Sequence, residues 1–591
     1  MPSPVSKAND SLPRPEHPRP QFRRDSWVNL NGEWSCELDV GQSGSDRGLA
    51  ASTGFDTPIV VPFCPESELS RVGWRDFIPA IWYHRVIEIP AEWAGRRVLL
   101  HFGGVDYESE AYLDGELAGR HYGGAASFAY DVTRRVRPGD VHHLVVHARD
   151  DVRSPLQPSG KQSPDYHSRG CHYTRVTGIW QTVWLEAVDV CGLRNCTRIL
   201  PDVDGKVCHV LPSFHALEAG LTVGAELREG ERTVCRCERA AGAGMVLSLP
   251  VEEDMRLWRP GDPFLYDLRL EVRDAGGQTV DAVQSYVGMR KIHLEGDRVF
   301  LNNEPLYQRL VLDQGYYKQG VWTAPTDADL KRDIELAQAA GFNGARLHQK
   351  AFEERFHYWA DRLGHLTWAE APSWGLDPNR ADAARNFLAE WRELVQRDRN
   401  HPSIIAWTPL NETGDVREPR QHRRFHIDCY ELTHALDGTR PVNDASGYVH
   451  ARTDLWTVHA YTQDPEQFKA QLETDEDGEV IRNAPEKEVE YTGQPYLVDE
   501  FGGVRWVEVD ESRHSSQESW GYGDAPASKE EVYERVAACV DALLSLAHVR
   551  GYCYTQLTDI EQEQNGIYNY DRSAKFDMTR IAAIFGKRNG T

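Results

Sequence analysis

The sequence predicts two β-sandwiches followed by a (β/α)8 barrel. Three observations lead to this fold class. At 591 residues the chain is longer than one hydrophobic core normally organises, so about three or four domains are expected. Short strand-like segments separated by Gly, Asp and Pro fill residues 21–294. From about residue 299, strand-like and helix-like segments alternate, which is typical of a parallel α/β barrel.

The first 20 residues are rich in Pro and polar side chains and contain no apolar run. We therefore expect residues 1–20 to be a flexible leader rather than a signal segment. Residues 21–189 carry short alternating segments that are predicted to form one β-sandwich. The clearest of these predicted strands are residues 81–89, 97–102, 110–114, 143–147 and 182–188.

Residues 190–294 form a second all-β stretch of about 100 residues, the size of an immunoglobulin-like sandwich. Its predicted strands include residues 221–227, 245–249 and 266–272, and residues 259–263 (RPGDP) predict a turn. This region contains no recognisable catalytic pattern.

Residues 295–591 have the length and the alternating pattern of a (β/α)8 barrel. In the first predicted helix, Leu330, Ile334 and Ala337 share one face, and Gly341 lies just past its end. The acidic segment 464–490 is predicted to be a solvated loop on the rim. The predicted strands are 306–312, 342–348, 365–368, 404–410, 442–444, 455–461, 496–498 and 551–556, and the predicted helices are 327–340, 352–363, 381–397, 425–436 and 530–547.

Composition restricts the classes of partner. A net charge of −25 argues against nucleic acid or an anionic membrane. No apolar run approaches the roughly 18 residues of a membrane span. The eleven cysteines lack the CxxC spacing of a zinc site, so we expect reduced thiols, no metal and no cofactor. These features predict a cytoplasmic protein and leave a homo-oligomer open, while the 17 Trp and 24 Tyr lean toward a carbohydrate ligand.

Two glutamates end two of the predicted barrel strands. Glu412 follows the strand at 404–410, and Glu500 follows the strand at 496–498. Reacting groups of a parallel barrel lie at the C-terminal ends of its strands, so both glutamates would face one mouth. They are about 90 residues apart, roughly three strand–helix units, which fits strands four and seven. An isolated Asn411-Glu412 pair would suit a simple turn, but two converging carboxylates suit glycoside hydrolysis, which needs one acid and one ionised nucleophile.

Five motifs are spread over nearly the whole chain. They are DSWVNLNGEW from Asp25, TGIWQTVWLE from Thr177, LWRPGDPFLYDL from Leu257, RDRNHPSIIAWTPLNE from Arg397 and YLVDEFGG from Tyr496. Together they resemble glycoside hydrolase family 2, the family of β-galactosidases, β-glucuronidases and β-mannosidases. The resemblance implies a jelly-roll domain at 21–189, an immunoglobulin-like domain at 190–294 and a catalytic barrel at 295–591.

The resemblance also implies roles for individual residues. Glu412 would be the acid/base, Glu500 the nucleophile, and Asn411 would bind the 2-hydroxyl group of the sugar. Tyr461 is similar to the family tyrosine that bonds to the nucleophile, and Arg346 to the arginine that orients it, which would keep the nucleophile ionised. The other substrate-binding candidates are His348, His459, Asp313, Trp374 and Gln556.

The chain departs from the family pattern at three places. After strand two, many members have Arg-x-Ser-His-Tyr-Pro, whereas residues 346–350 are RLHQK. At strand eight the usual tryptophan is absent, and residues 554–556 are YTQ. Glucuronidases typically hold the substrate carboxylate with Asn-x-Lys, but the corresponding residues 563–565 are EQN. An acid at Glu563 would repel a uronate.

The predicted function is an exo-acting retaining glycoside hydrolase that releases a terminal β-D-galactosyl-type residue from a glycoside or oligosaccharide through a covalent intermediate. Compared with the family pattern, the strand tips of this chain carry more polar groups and less stacking surface. A furanose ring needs such contacts more than a pyranose ring does, so a β-D-galactofuranosidase or an α-L-arabinofuranosidase is the alternative. The sequence disfavours a β-glucuronidase, and also a non-catalytic carbohydrate-binding protein, because a binding module has no use for an acid opposite a nucleophile.

Overall fold

The computed structural model describes residues 12–251, 255–508, 515 and 518–588. The predicted fold class is confirmed: sandwich strands come first, and a curled parallel sheet with surrounding helices follows. Of the predicted leader, residues 1–11 lie outside the described part. Residues 12–20 are held against the barrel, since the buried Arg14 pairs with Glu353 at 2.7 Å and Arg19 with Glu354 at 3.1 Å.

The first sandwich packs a four-stranded antiparallel sheet on a six-stranded one. Buried and less buried residues alternate along Glu108–Leu113, so one face of this strand enters the core. A short pair, Val105–Asp106 with Gly178–Ile179, lies beside them. The four strands are Trp27–Asn29, Val183–Val188, Arg97–Phe102 and Phe128–Asp131, and the six are Thr57–Val61, Gly32–Leu38, Ala80–Glu88, Val141–Arg149, Glu108–Leu113 and Glu116–Tyr122.

The second sandwich packs a three-stranded sheet on a four-stranded one, again antiparallel. Every second residue of Tyr266–Arg273 is buried, as a half-exposed strand requires. The predicted turn at 259–263 joins the short strands Trp258–Arg259 and Asp262–Pro263. The sheets contain Arg198–Asp202, Val207–Leu211 and Leu247–Pro250, and Arg232–Ala240, Thr222–Glu229, Tyr266–Arg273 and Thr279–Val287; Ile292–Glu295, Arg298–Leu301 and Glu304–Pro305 then lead into the barrel.

The barrel strands run parallel, and seven of the eight predicted segments overlap an observed strand, whereas the fifth was predicted at 442–444 and lies at Ala445–Ser446. Seven of them form one curled sheet, while the fifth, β5, pairs with the chain just after β4. The sequence predicted one unbroken strand over 404–410, but Pro409 has no N–H group to donate, so the strand ends at Thr408 and resumes at Leu410–Asn411. The strands are β1 Gln308–Asp313, β2 Gly344–Leu347, β3 Leu366–Glu370, β4 Ile404–Thr408, β5 Ala445–Ser446, β6 Trp456–Ala460, β7 Tyr496–Gly502 and β8 Val549–Thr555.

Helices cover the outside of this sheet. The first begins with a capping box, in which Thr326 and Asp329 satisfy each other's backbone N–H groups. The prediction that 464–490 is only a solvated loop is wrong, because it contains α5, whose Phe468 and Leu472 are buried. The helices are α1 Asp327–Ala339, α2 Glu354–Leu363, α3 Ala381–Asp398, α4 Pro419–Leu436, α5 Pro465–Leu472, α6 Lys529–Ser545 and α7 Met578–Phe585.

Two further features concern the cysteines and the helices. All eleven cysteines are unpaired, as expected for reduced thiols. Within the described ranges, no helix combines the length and the apolar character that crossing a membrane requires.

Candidate active site

The two predicted glutamates come from different strands of the barrel, and Glu500, predicted to follow a strand that ends at 498, lies within β7 (Tyr496–Gly502). Glu412 follows Leu410–Asn411, and its N–H donates to the Ser446 carbonyl of β5 at 3.0 Å. Its φ of 48° is in the left-handed region, which costs a non-glycine residue about 1–3 kcal/mol and recurs at functional sites. Glu500 lies within β7, where the pairing with β8 is irregular. A carboxylate oxygen of each residue lies within 4.8 Å of the other.

Glu500 is bonded at both carboxylate oxygens. Arg346 donates to Oε1 at 2.7 Å, and the Tyr461 hydroxyl donates to Oε2 at 2.5 Å. Burial alone would raise the pKa of Glu500, but His459, Arg346 and the Tyr461 bond hold it well below its ordinary value. Glu500 is therefore an ionised carboxylate in a nearly dry position, with 5 % of its surface exposed.

Arg346 connects β2 to three other strands. Its fully buried guanidinium donates to Glu370 at the end of β3 at 2.8 Å and to the Asn411 amide oxygen at 2.7 Å. A planar fork with five N–H donors can hold such a set of acceptors in one geometry. The sequence did not single out Glu370, although an acid ending a predicted barrel strand is the signal that identified Glu412 and Glu500.

His459, at the end of β6, joins the two glutamates. Its Nδ1 lies 2.8 Å from Glu412 Oε1 and 3.4 Å from Glu500 Oε2. On the opposite side, Nε2 lies 3.0 Å from the Ser446 hydroxyl. Burial lowers the pKa of His459, but Glu500, Glu412 and Asp499 together raise it to about 9. The imidazole is therefore protonated near neutrality and places a positive charge between the two carboxylates.

Asn411 offers an unused donor at the same place. Its amide oxygen accepts from Arg346, and its N–H donates to the Ser373 hydroxyl at 3.1 Å. The side-chain Nδ2 is buried and makes no hydrogen bond within the described residues. Because a buried unpaired N–H costs free energy, this group is suited to a ligand oxygen.

His348 follows β2 and faces the same charges. Its Nδ1 lies 2.8 Å from Arg346 Nη2, so Arg346 donates and the ring proton is assigned to Nε2. Burial first, and then the charges of Arg346 and Lys161, hold the pKa of His348 well below its ordinary value. His348 is therefore a neutral donor beside Glu500.

Gln556, Asp313 and Trp374 are the remaining substrate-binding candidates, and each has its own set of contacts. Gln556 accepts from Gln314 at 2.7 Å and donates to Asn565 at 2.9 Å, so amides form this part of the barrel mouth. Asp313 accepts the Gly315 N–H at 2.9 Å, a bond within its own loop. The Trp374 ring lies under the Lys161 ammonium, 3.7 Å from it.

Lys161 was not predicted from the sequence. It belongs to a loop of the first sandwich, and only contacts between domains bring it to the barrel, so no local pattern marks it. The residue is 6 % exposed. Burial lowers its pKa, yet Cys171, Glu563 and the two glutamates raise it above its ordinary value.

Glu412, His459 and Glu500 are also the group that comes nearest to a metal-binding arrangement in the described ranges. Their contacts are those of a carboxylate–imidazolium–carboxylate triad, since the Nδ1 proton of His459 occupies the space between the oxygens. A metal ion at this group would have to displace the Nδ1 proton of His459.

Two family models, several curated proteins and solved structures match the chain. A family model described as "Glycosyl hydrolases family 2, TIM barrel domain" matches residues 292–505, and a second one, "Glycosyl hydrolases family 2", matches residues 218–290. A β-glucuronidase of Paenibacillus borealis is 24% identical over 447 residues, which are 70% of this chain and 72% of that protein. A β-galactosidase of Thermoanaerobacter pseudethanolicus is 24% identical over 403 residues, 66% of this chain but 51% of that protein. The solved structure of a β-glucuronidase from Ruminococcus gnavus in complex with D-glucuronic acid superposes with a TM-score of 0.78 at 18% identity, covering 95% of this chain and 98% of that one.

These matches and the barrel with its paired carboxylates define the class of protein, an exo-acting glycosidase. The two family models and the relatives support glycoside hydrolase family 2 as the family of this chain.

Proposed function

We propose that the protein is a retaining β-glycosidase that removes the terminal sugar of a glycoside, with Glu500 as nucleophile and Glu412 as acid/base. The observation that supports this most is the approach of the two carboxylates within 4.8 Å. Retaining enzymes keep their carboxyl groups about 5–5.5 Å apart, whereas inverting enzymes leave about 6.5–9.5 Å for a water molecule.

In the first step Glu500 attacks the anomeric carbon while the bond from that carbon to the leaving oxygen breaks. Glu412 takes the Nδ1 proton of the His459 imidazolium across their 2.8 Å contact and donates a proton to that oxygen, so the aglycone leaves neutral. Arg346 and Tyr461 hold the attacking carboxylate by separate oxygens, which fixes its direction. The product is an ester between Glu500 and the sugar.

In the second step Glu412 takes a proton from water, and the resulting hydroxide oxygen attacks the anomeric carbon and releases Glu500. His459 would keep one proton available to Glu412, since its Nδ1 lies 2.8 Å from Glu412 Oε1. The buried Asn411 Nδ2 would donate to the 2-hydroxyl group of the sugar, a bond that strengthens in such transition states.

For the sugar, we propose a terminal β-D-galactosyl-type residue, with the β-D-galactofuranoside and α-L-arabinofuranoside as the alternative ring form. Support comes from a mouth lined by amides and carboxylates, with Glu563 at the place where an Asn-x-Lys motif would hold a uronate. β-Glucuronidase is a second candidate, because several relatives and the superposed structure carry that name and Lys161 supplies a cation.

The test of the nucleophile is Glu500→Ala on 4-nitrophenyl glycosides of galactopyranose, galactofuranose, arabinofuranose, glucuronic acid and mannose. We expect turnover to disappear and azide to restore it in part, giving a glycosyl azide of inverted configuration, because azide fits the space left by the carboxylate. Near wild-type activity of Glu500→Ala without azide would refute the proposal.

The test of the acid/base is Glu412→Gln on aryl glycosides of different leaving-group acidity. Poor leaving groups need the proton, so their kcat/KM should fall far more than that of good ones. Equal losses for both would exclude Glu412 as the acid.

A further inference from the structure

A loop of the first sandwich reaches the mouth of the barrel. The N–H groups of Ser159 and Gly160 donate to the Trp374 carbonyl at 2.7 and 3.1 Å. Gly160 has φ +57°, and a Cβ at this position would lie 2.5 Å from the Gln349 carbonyl oxygen. Only glycine allows this approach, so the loop is fixed against the barrel and delivers the next residue, Lys161, to a defined place.

The Lys161 ammonium group makes an incomplete set of contacts. Its Nζ lies 3.7 Å from the centre of the Trp374 ring, and the residue is 6 % exposed. Across the described ranges, no oxygen or nitrogen accepts a hydrogen bond from Nζ, and no carboxylate pairs with it. Nζ itself is not enclosed, so its three N–H donors are open to water or to a ligand. The indole face compensates in part through a cation–π interaction.

Glu563 is the barrel residue that could share a ligand with Lys161. The residue is 2 % exposed, and its two oxygens accept from the Tyr173 hydroxyl and, at 3.0 Å, from Asn565 Nδ2. Tyr173 joins the two residues, because its N–H donates to the Lys161 carbonyl at 2.7 Å and its hydroxyl donates to Glu563. The charge of Lys161 also opposes the rise in the pKa of Glu563 on burial. They do not touch, and each carboxylate oxygen retains a lone pair.

We propose that Lys161 and Glu563 bind one hydroxyl group of a neutral terminal sugar between them. The ammonium donates to the hydroxyl oxygen, and the carboxylate accepts the hydroxyl proton. This inference rests on the proposed glycosidase function and names its substrate class, a neutral glycoside. A sandwich residue and a barrel residue would thus select the sugar together.

Charge explains why a neutral sugar fits better than a uronate. A substrate carboxylate could pair with Lys161, but it would also approach Glu563, and the same mouth contains Glu412 and Glu500. Like charges at a few ångström in a poorly solvated site are strongly unfavourable. A hydroxyl group meets both partners without this penalty, because it is at once a donor and an acceptor.

The experiment compares Lys161→Met, Glu563→Gln and the double variant with wild type on the 4-nitrophenyl β-galactopyranoside, β-galactofuranoside and β-glucuronide. Met keeps the length of the side chain and its packing on Trp374. Lys206→Gln, on a turn of the second sandwich, is the matched control for loss of a lysine charge. Thermal unfolding of each variant shows whether it is folded.

We expect each single variant to lower kcat/KM on the best neutral glycoside by roughly 10- to 100-fold, the value of a charge-assisted hydrogen bond. The double variant should lose less than the product of the two losses, because both groups bind the same hydroxyl. Lys206→Gln should stay within about twofold of wild type, the range usual for an isolated surface change.

Two results would overturn the inference while leaving the proposed retaining mechanism with Glu500 and Glu412 intact. One is wild-type activity of folded Lys161→Met on neutral glycosides. The other is preference of the wild type for the glucuronide, with loss of that activity in Lys161→Met. Failure of the proposed function looks different: no glycoside would be cleaved, or Glu500→Ala would remain active, and the inference would fall with it.

Discussion

Replacing Tyr461 by Phe removes one hydroxyl group from the bonds that hold Glu500. The Tyr461 hydroxyl lies 2.5 Å from Glu500 Oε2 and 3.1 Å from the Thr555 hydroxyl. Its ring stacks on Tyr522 at 3.5 Å between centres and 7° between planes, and phenylalanine can keep this contact. The change therefore tests the bond to the carboxylate rather than the packing.

The size of the effect follows from that bond. A hydrogen bond to a charged group contributes about 1.5–3 kcal/mol. Since about 1.36 kcal/mol corresponds to a factor of ten in rate, kcat/KM should fall roughly 10- to 150-fold. In the variant, the acid limb of the profile of kcat/KM against pH should also move to higher pH, because the Tyr461 hydroxyl helps to hold the pKa of Glu500 down. That displacement should be modest, since Arg346 and His459 remain.

The assay is kcat/KM against pH on the best 4-nitrophenyl glycoside. Tyr491→Phe is the matched control, because it removes a hydroxyl that bonds to the Gln494 carbonyl at 2.8 Å, in a loop before β7. Tyr461→Phe with wild-type kcat/KM at every pH would show that Glu500 does not depend on this bond, and would refute the reasoning.

Two more outcomes follow from the same contacts. The pKa of His459, about 9, lies above the ordinary value near 6.5, so its ion pairs stabilise the fold fully below about pH 6.5 and lose this effect as pH rises through 9. The Tm advantage of wild type over His459→Gln, measured by calorimetry from pH 6 to 10, should therefore shrink across that window, and a constant difference would contradict the charged state. Asn411→Ala should lower kcat/KM by roughly 10- to 1000-fold on a substrate with a 2-hydroxyl group and have much less effect on its 2-deoxy analogue, because that bond strengthens in the transition state. Equal losses on both substrates would show that Asn411 acts only by holding Arg346 and does not bind the 2-hydroxyl group.

The barrel could be predicted because its strands are local, apolar and regularly spaced. Ile404 to Trp407 are buried on all sides, and such runs of β-branched and aromatic residues leave few other structures open. The prediction that strand tips would carry Glu412 and Glu500 needed only this spacing and the rule about C-terminal ends. The helix within 464–490 was missed although its start signal is present: Asp464 caps the Gln467 N–H, and Pro465 occupies the first turn.

Electrostatic partners were harder to predict, because they depend on distances between strands. The sequence singled out His459 as a ligand residue, but its position between two carboxylates follows from the neighbouring ends of β6 and β7 and from the Ser446 contact. Glu370 could have been predicted by applying the strand-tip argument to β3 as well. Its bond to Arg346 could not, since that requires the registry of β2 beside β3.

The role of Lys161 could not be predicted from the periodicity of the sequence. A lysine after Ser159-Gly160 is typical of many turns. Its proposed role depends on Trp374 and Glu563, which belong to the barrel. The glycine before it is the one local sign, because a residue with φ +57° pressed against another backbone is needed only where two segments meet closely. A barrel expressed without the first sandwich would therefore keep Glu412 and Glu500 but lose the positive charge of Lys161 at its mouth.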